Sequence, residues 1–470
     1  MPRTARRCVA NGGVVERPAG DSPRRPGPLG AIDVNPPDGN RSVWLSRSAY
    51  TLLILTLVYA LNIADRFIFA TLIEPIKAEF ELSDGGVAFL TGSSLAIFYV
   101  AAGIPLGALA DRTNRRNMIG LALAVWSLLT VVCGFATTYW QLLIGRIGVG
   151  IGEAGGTPPS QSLLADEFRS VDRGAAMSIF SIGSVIGAAA AIAGGGLLAE
   201  QYGWRHTLIV FGAIGIPLAL LVRITLREPI RGALDGKSSA SNTPRYGIVE
   251  TLAYMYSHRS IFHLLIGGTV LTFAGGGLLW WAPAFLARSH GFSVGEAGGL
   301  VGAMMGIAGP FVMIGTGWAM ARLAPRDLRW QLWFVSGASC IMALAGIVAF
   351  WSPSRPVVLG ALWVFAPATF IYIGPTLALF QSLVPAAMRG QAVAIFLFTA
   401  NVANLVIAPQ LLGSMSDVIG PLIAQPKDSL RWVLVGGAFT GFWGVWHYMA
   451  AARTLAHEIG QQARLSTYWY

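Results

Sequence analysis

Four ionisable residues stand inside long apolar stretches of this chain: Asp65, Arg66, Arg146 and Glu153. A charged side chain in hydrocarbon costs several kcal/mol on insertion scales, so such residues are expected to face a partner or a wet cavity. Arg146 and Glu153 are seven apart, close to two helical turns, which puts them on one face of a helix about 10 Å apart along its axis. The stretches carrying the two pairs run in opposite directions. At ~1.5 Å per residue, Asp65, Arg66 and Arg146 then reach similar depth and Glu153 lies deeper. An ion pair between Asp65 and Arg146 is geometrically available and would keep that acid charged. Glu153, dehydrated by burial, is the better candidate for taking up a proton near neutral pH and is read as a proton switch. A static ion-pair network tying two helices together is the plainer alternative.

No other constellation of catalytic type is evident. No nucleophile and base stand in recognisable spacing, and nothing matches the phosphate-binding pattern Gly-x4-Gly-Lys-Ser/Thr. None of the six histidines has metal-ligand company, and His263 reads as interfacial. Cys8, Cys133 and Cys340 show no disulfide pattern and read as packing residues. No catalytic residue, cofactor or metal is therefore expected, and any work the protein does must draw on gradients.

The elements that position the four charges follow from composition. Over 470 residues the chain is 54% hydrophobic and 12% charged, with a mean hydropathy of +0.59, too apolar for a soluble domain of this length. Apolar runs long enough for a ~30 Å hydrocarbon core recur at 50–73, 86–110, 117–137, 139–164, 174–198, 206–226, 261–288, 294–321, 329–351, 357–382, 390–414 and 431–454. Runs of this length exclude barrel strands, so an all-α membrane protein of twelve helices is expected. Residues 1–47, rich in Pro and Arg, read as a disordered tail.

The net charge of +10 follows topology and does not point to nucleic acid. Of 33 Lys and Arg, six fall in outer loops (Lys77, Arg205, Arg288, Arg355, Lys427, Arg431) and two inside helices (Arg66, Arg146); the remaining 25 lie on the side of the termini. Both termini are therefore expected in the cytoplasm.

The polar stretch 227–258 divides the chain into a six-helix bundle at 48–226 and a second at 259–455, followed by a tail at 456–470. A shift of 210 residues aligns Ser83 with Ser293, Gly92 with Gly302, Gly107 with Gly317 and Arg112 with Arg322, which suggests a duplicated unit. Ser83 and Ser293 are expected to cap helix N-termini, Ser293 with Glu296 in capping-box spacing. Asp65 and Arg66 find only Gly275 and Gly276 at that shift, so coupling chemistry should reside in the first half. One chain holds both halves, and a monomer would suffice.

Between the second and third runs stands Gly107-Ala108-Leu109-Ala110-Asp111-Arg112-Thr113-Asn114-Arg115-Arg116. This stretch resembles the cytoplasmic loop signature of the major facilitator superfamily, departing from it at Asn114, where a second Gly is usual. Gly107 would let helices approach, and Asp111 could rest on the positive end of the eleventh helix near Arg389-Gly390, latching that side shut. Positive-inside charge alone would explain Arg112, Arg115 and Arg116. Within that superfamily, Leu61-Asn62-Ile63-Ala64-Asp65-Arg66, Gly145 to Ala154, Gly203-Trp204-Arg205 and Leu226 to Gly232 resemble the Spinster-like lipid transporters, over most of 50–415. The resemblance implies two six-helix bundles working by alternating access, with Asp65, Arg66, Arg146 and Glu153 coupling protonation to conformational exchange.

Phe273, Trp280 and Trp281 on the seventh helix, with Phe370 and Tyr372 on the tenth, could form an apolar cavity wall, since these helices commonly border the cavity in that superfamily; Trp280 and Trp281 could equally sit in an outer aromatic belt. Asn401 and Asn404 share a helix face and could bind a polar head group or another helix. The expectation is a transporter of an amphipathic, anionic, single-chain lipid-like solute, lysophospholipid or sphingolipid in type, with Arg66 and Arg146 meeting the head. The alternatives are small organic anions, such as aromatic or sugar acids, or drug export. The expected partners are the solute, protons and the lipid bilayer.

Overall fold

The computed structural model describes residues 47–110, 112–231, 247–385 and 388–467. Its helical segments group into twelve rods, each overlapping one apolar run of the sequence. In the first half these are α1 (Arg47–Glu79), α2 (84–110), α3 (Arg115–Gly134), α4 (139–167), α5 (170–202) and α6 (204–225). In the second they are α7 (Arg259–His290), α8 (Val294–Leu323), α9 (Arg329–Trp351), α10 (Arg355–Leu383), α11 (Arg389–Leu422) and α12 (Ser429–Thr467). Among the described residues, nine helices are long and apolar enough to cross a membrane, and the longest of these contains both α5 and α6. The two are separated by Gly203, whose φ of 79° a residue with a Cβ rarely adopts. Asp111 and residues 1–46 lie outside the described residues, as do residues 232–246 of the expected 227–258 connection; its far end, however, is a helix, Ile248–Ser257, with Thr251 bonded to Gln391 on α11 at 2.5 Å. The expected tail from 456 begins as a continuation of α12 to Thr467.

Helix starts follow their capping chemistry. Ser83 accepts from the Gly86 N–H at 3.0 Å, and Ser293 and Glu296 form a reciprocal capping box. Four rods contain a π turn, with one residue more per turn than an α-helix needs: Phe89–Ser93 in α2, Phe273–Gly277 in α7, Met304–Ala308 in α8 and Val402–Ile407 in α11.

Small residues let the rods touch, because lipid gives no hydrophobic drive for helices to associate. A Cβ on Gly187 of α5 would strike the Ala60 carbonyl of α1. The repeat-related Gly92 and Gly302 each stand where the halves meet, Gly92 against Leu405 and Pro409 of α11, Gly302 against Ala189 and Ala193 of α5.

The packing is unequal along the membrane normal. One apolar core runs from Ile68, Ile73 and Leu90 of the first half through Trp281, Val301 and Leu412 of the second, joining both at the face away from the termini. A separate core, including Leu55, Leu123, Trp126, Phe180 and Val222, serves the first half alone toward the terminal face. There, a Cβ on Gly107, Gly317 or Gly390 would find nothing within 4 Å. The halves are thus joined at the far face and parted at the terminal face.

Candidate functional site

The four charges converge between α1 and α4, all nearly or fully buried. Arg66 donates through Nε to Glu153 Oε2 at 2.6 Å and through Nη2 to Asn62 at 3.3 Å, and its guanidinium lies 4.1 Å from the Tyr99 ring centroid. Arg146 pairs with Asp65 at 3.7 Å, donates to the Thr91 carbonyl at 2.9 Å and sits 3.8 Å over Phe69. Thr130 donates to Asp65 at 2.8 Å. The Asp65–Arg146 pairing matches the geometry read from sequence. Glu153 differs, because it has its own cation, so α1 and α4 are crossed by two ion pairs and not one. Thr91 belongs to the π turn of α2, where the wider turn leaves a carbonyl for Arg146.

Beside this network, between the halves, is a cavity of ≈ 240 Å³. Phe370, Tyr372, Asn401 and Asn404 line it, as do Phe67, Ser184, Thr272, Gly276, Met305 and Thr369, which sequence reasoning missed. Phe273, Trp280 and Trp281 do not line it. Trp281 is fully buried against α11, with Arg288 5.9 Å from its ring, and Trp280 is buried with its ring 5.7 Å from that of Phe67. Trp280 packs across the halves and Trp281 within the second half, and neither is cavity wall or exposed belt, because α7 turns that face toward α1 and α11. Neither Arg66 nor Arg146 lines the cavity, so the expected contact with an anionic head is not made there.

A polar seal closes the far face. Arg288 of α7 bridges Glu74 and Asp84 of the first half, each at 2.7 Å, and Lys77 also pairs with Asp84. Asp417 of α11 accepts from the backbone N–H groups of Asp84 and Gly85 at the α2 N-terminus, both at 2.7 Å, an anion on the positive helix end. Ser416 donates to Asp84 at 2.6 Å and Ser293 to Glu200 at 2.9 Å. Lys77 and Arg288, read from sequence as loop charges, belong to this seal.

The Major Facilitator Superfamily model matches residues 55–409, about three-quarters of the chain. The chain belongs to the Major Facilitator Superfamily. It is 31% identical over 440 residues to an MFS-type efflux pump of Mycolicibacterium smegmatis, covering 93% of this chain and 99% of that one. It is 27% identical over 488 residues to protein spinster homolog 1 of Rattus norvegicus, covering 94% and 89%. A solved bacterial homolog of the human lysosomal transporter Spinster, inward-facing and unoccupied, superposes with a TM-score of 0.78 at 29% identity over 87% of this chain and 97% of that one. The protein is a Spinster-like, multi-pass membrane transporter and not an enzyme.

In this superfamily member the loop after α2 has a physical role for each described basic residue but one. Arg115, buried, donates to Asp166 at 2.5 Å and to Glu228 at 2.7 Å, tying α3 to the end of α4 and the segment after α6. The Arg116 side chain donates through Nη1 to the Leu226 carbonyl at 3.3 Å, and Arg231 reaches the Ala110 and Thr113 carbonyls at 2.7 Å. This binding within one half exceeds what positive-inside charge alone would require of Arg115 and Arg116; Arg112 is exposed. Asn114, where the signature departs, caps α3 by accepting from the Asn117 N–H at 2.9 Å. Gly107 touches no neighbouring rod here, and the latch expected of Asp111 lies outside the described residues. Gly203-Trp204-Arg205 is explained likewise: the turn at Gly203 brings Trp204 and Arg205 onto Glu79 of α1 at 2.7 and 2.6 Å.

Proposed function

We propose that this protein is a secondary active transporter that works by alternating access on an amphipathic, single-chain lipid-like solute, with protonation at the Asp65–Arg66–Arg146–Glu153 network switching its conformation. One observation carries the reading. Asp65, Arg66 and Phe67 are consecutive on α1, so one turn of helix holds two members of the charge network and one wall of the cavity. A proton neutralising Glu153 removes the partner of Arg66 and lets α1 shift against α4, and Phe67 moves with it.

The positive-inside bias supports placing both termini in the cytoplasm of a cell whose inner membrane holds the protein, with the open face inward. The remaining apolar cavity lining supports a solute with an acyl-type chain.

The test is flux of radiolabelled lysophosphatidylcholine and monoacylglycerol in proteoliposomes, with and without an imposed pH gradient, for the wild type and Glu153→Gln. The expected result is gradient-responsive flux of at least one lipid in the wild type and loss of that response in the variant. Gradient-responsive flux that survives Glu153→Gln would overturn the switch. No flux of either lipid above empty liposomes would overturn the lipid reading.

A further inference from the structure

We infer that the cavity recognises an uncharged hydrogen-bonding head, a hydroxyl or an amide, through the side chain of Asn404, and discriminates against anions. The inference rests on the lipid-like reading above and narrows it. Among the described residues, no Asp, Glu, Lys, Arg or His lines the cavity. Its polar side chains are mostly committed to the protein. Thr272 donates to the Gly268 carbonyl, Thr369 to Ala366, Ser184 to Ser181 and Asn401 to Leu397, at 2.7 to 2.8 Å. Tyr372 donates to Thr272 at 2.7 Å. The hydroxyls keep lone pairs for a ligand but have given up their donors, and Asn401 retains one of its two amide hydrogens.

Asn404 is the exception. Its half-buried amide makes no hydrogen bond among the described residues, so it offers both donor hydrogens and an acceptor oxygen to the cavity. It is held where two π turns meet, its own in α11 and that of α7. At Gly276 of the α7 turn a Cβ would lie 2.6 Å from Asn404 Oδ1 and 3.2 Å from Nδ2, so the absence of a side chain at 276 makes room for the amide.

One amide facing several acceptors complements a group that both donates and accepts. A carboxylate or phosphate would meet mainly lone pairs and no cation, and burying such a charge unpaired carries a penalty of several kcal/mol. The cavity of ≈ 240 Å³ is below the usual range for whole drug-sized ligands, so in this conformation it encloses a head and the start of a chain.

The experiment measures equilibrium binding to the full-length protein in lipid nanodiscs, corrected against empty discs, for three ligands sharing one chain: dodecanoyl ethanolamide, dodecanoate and dodecyltrimethylammonium. The neutral amide is expected to bind at least tenfold tighter than dodecanoate. Asn404→Leu is expected to abolish that preference, and Gly276→Ala to reduce it by displacing the amide. Tighter or equal binding of dodecanoate, or a preference unchanged in Asn404→Leu, would overturn the inference and leave the lipid reading standing. No binding of any of the three by folded wild type would overturn both. The wild-type comparison decides between these outcomes even if a variant fails to fold.

Discussion

Asp65 Oδ2 and Glu153 Oε1 are buried, and neither accepts a hydrogen bond among the described residues, although each carboxylate's other oxygen does. The network is therefore incompletely satisfied, a state in which single partners matter more than their number suggests. The Thr130 hydroxyl is the hydrogen-bond donor to Asp65, and a bond to a charged group is worth roughly 1.5–3 kcal/mol. Thr130→Val should lower the temperature of thermal unfolding, and Thr130→Ser should restore it; equal unfolding temperatures for all three would show that the bond contributes nothing. Phe67→Ala should leave the ion pairs intact and weaken solute binding in nanodiscs by tenfold or more, whereas unchanged affinity would remove Phe67 from the cavity's function. The four charges were legible because ionisable groups inside apolar runs stand out against their surroundings. Phe67, Thr272 and Met305 were not, since an apolar or small residue in an apolar helix carries no mark of the surface it faces.

At the scale of elements, the π turns supply what the helices alone would not. Gly276, Met305 and Asn404 all enter the cavity from such turns, and Thr91 serves Arg146 from the fourth. Deleting Val402 should let α11 close to an ordinary helix with both flanks near their present orientation, because the π turn absorbs one extra residue, and should shift Asn404 by one register position away from its place beside Gly276. The deletion variant should reach the membrane and lose the neutral-head preference; a preference retained would mean the turn is ornamental. Hydropathy could not have located these turns, because one extra apolar residue leaves an apolar run unbroken. The caps at Ser83 and Ser293 were legible because side-chain chemistry fixes them locally. The spacing of Gly92 and Gly302 also survived into the fold, since close backbone approach at each inter-half crossing leaves no room for a Cβ.

At the scale of the molecule, the far-face seal opposes the open terminal face, and its charges at helix ends looked in sequence like ordinary solvated loop residues. Removing the Asp417 carboxylate takes two charge-assisted bonds from the α2 N-terminus. At roughly 1.5–3 kcal/mol each, Asp417→Ala should shift the conformational balance at least tenfold toward opening of that face. With the native cysteines replaced and Ala297→Cys introduced at the buried junction, labelling by a membrane-impermeant maleimide from the far side should accelerate accordingly; an unchanged rate would show that Asp417 contributes nothing to the seal. The run of Asp65, Arg66 and Phe67 along one turn carries an obligation of a different kind. Binding equilibria linked through a shared element are reciprocal: whatever factor a proton on the network imposes on solute affinity, the solute must impose on proton affinity. Adding solute to weakly buffered protein in detergent, with no membrane and no gradient, should therefore release or absorb protons, and Phe67→Ala should silence that exchange.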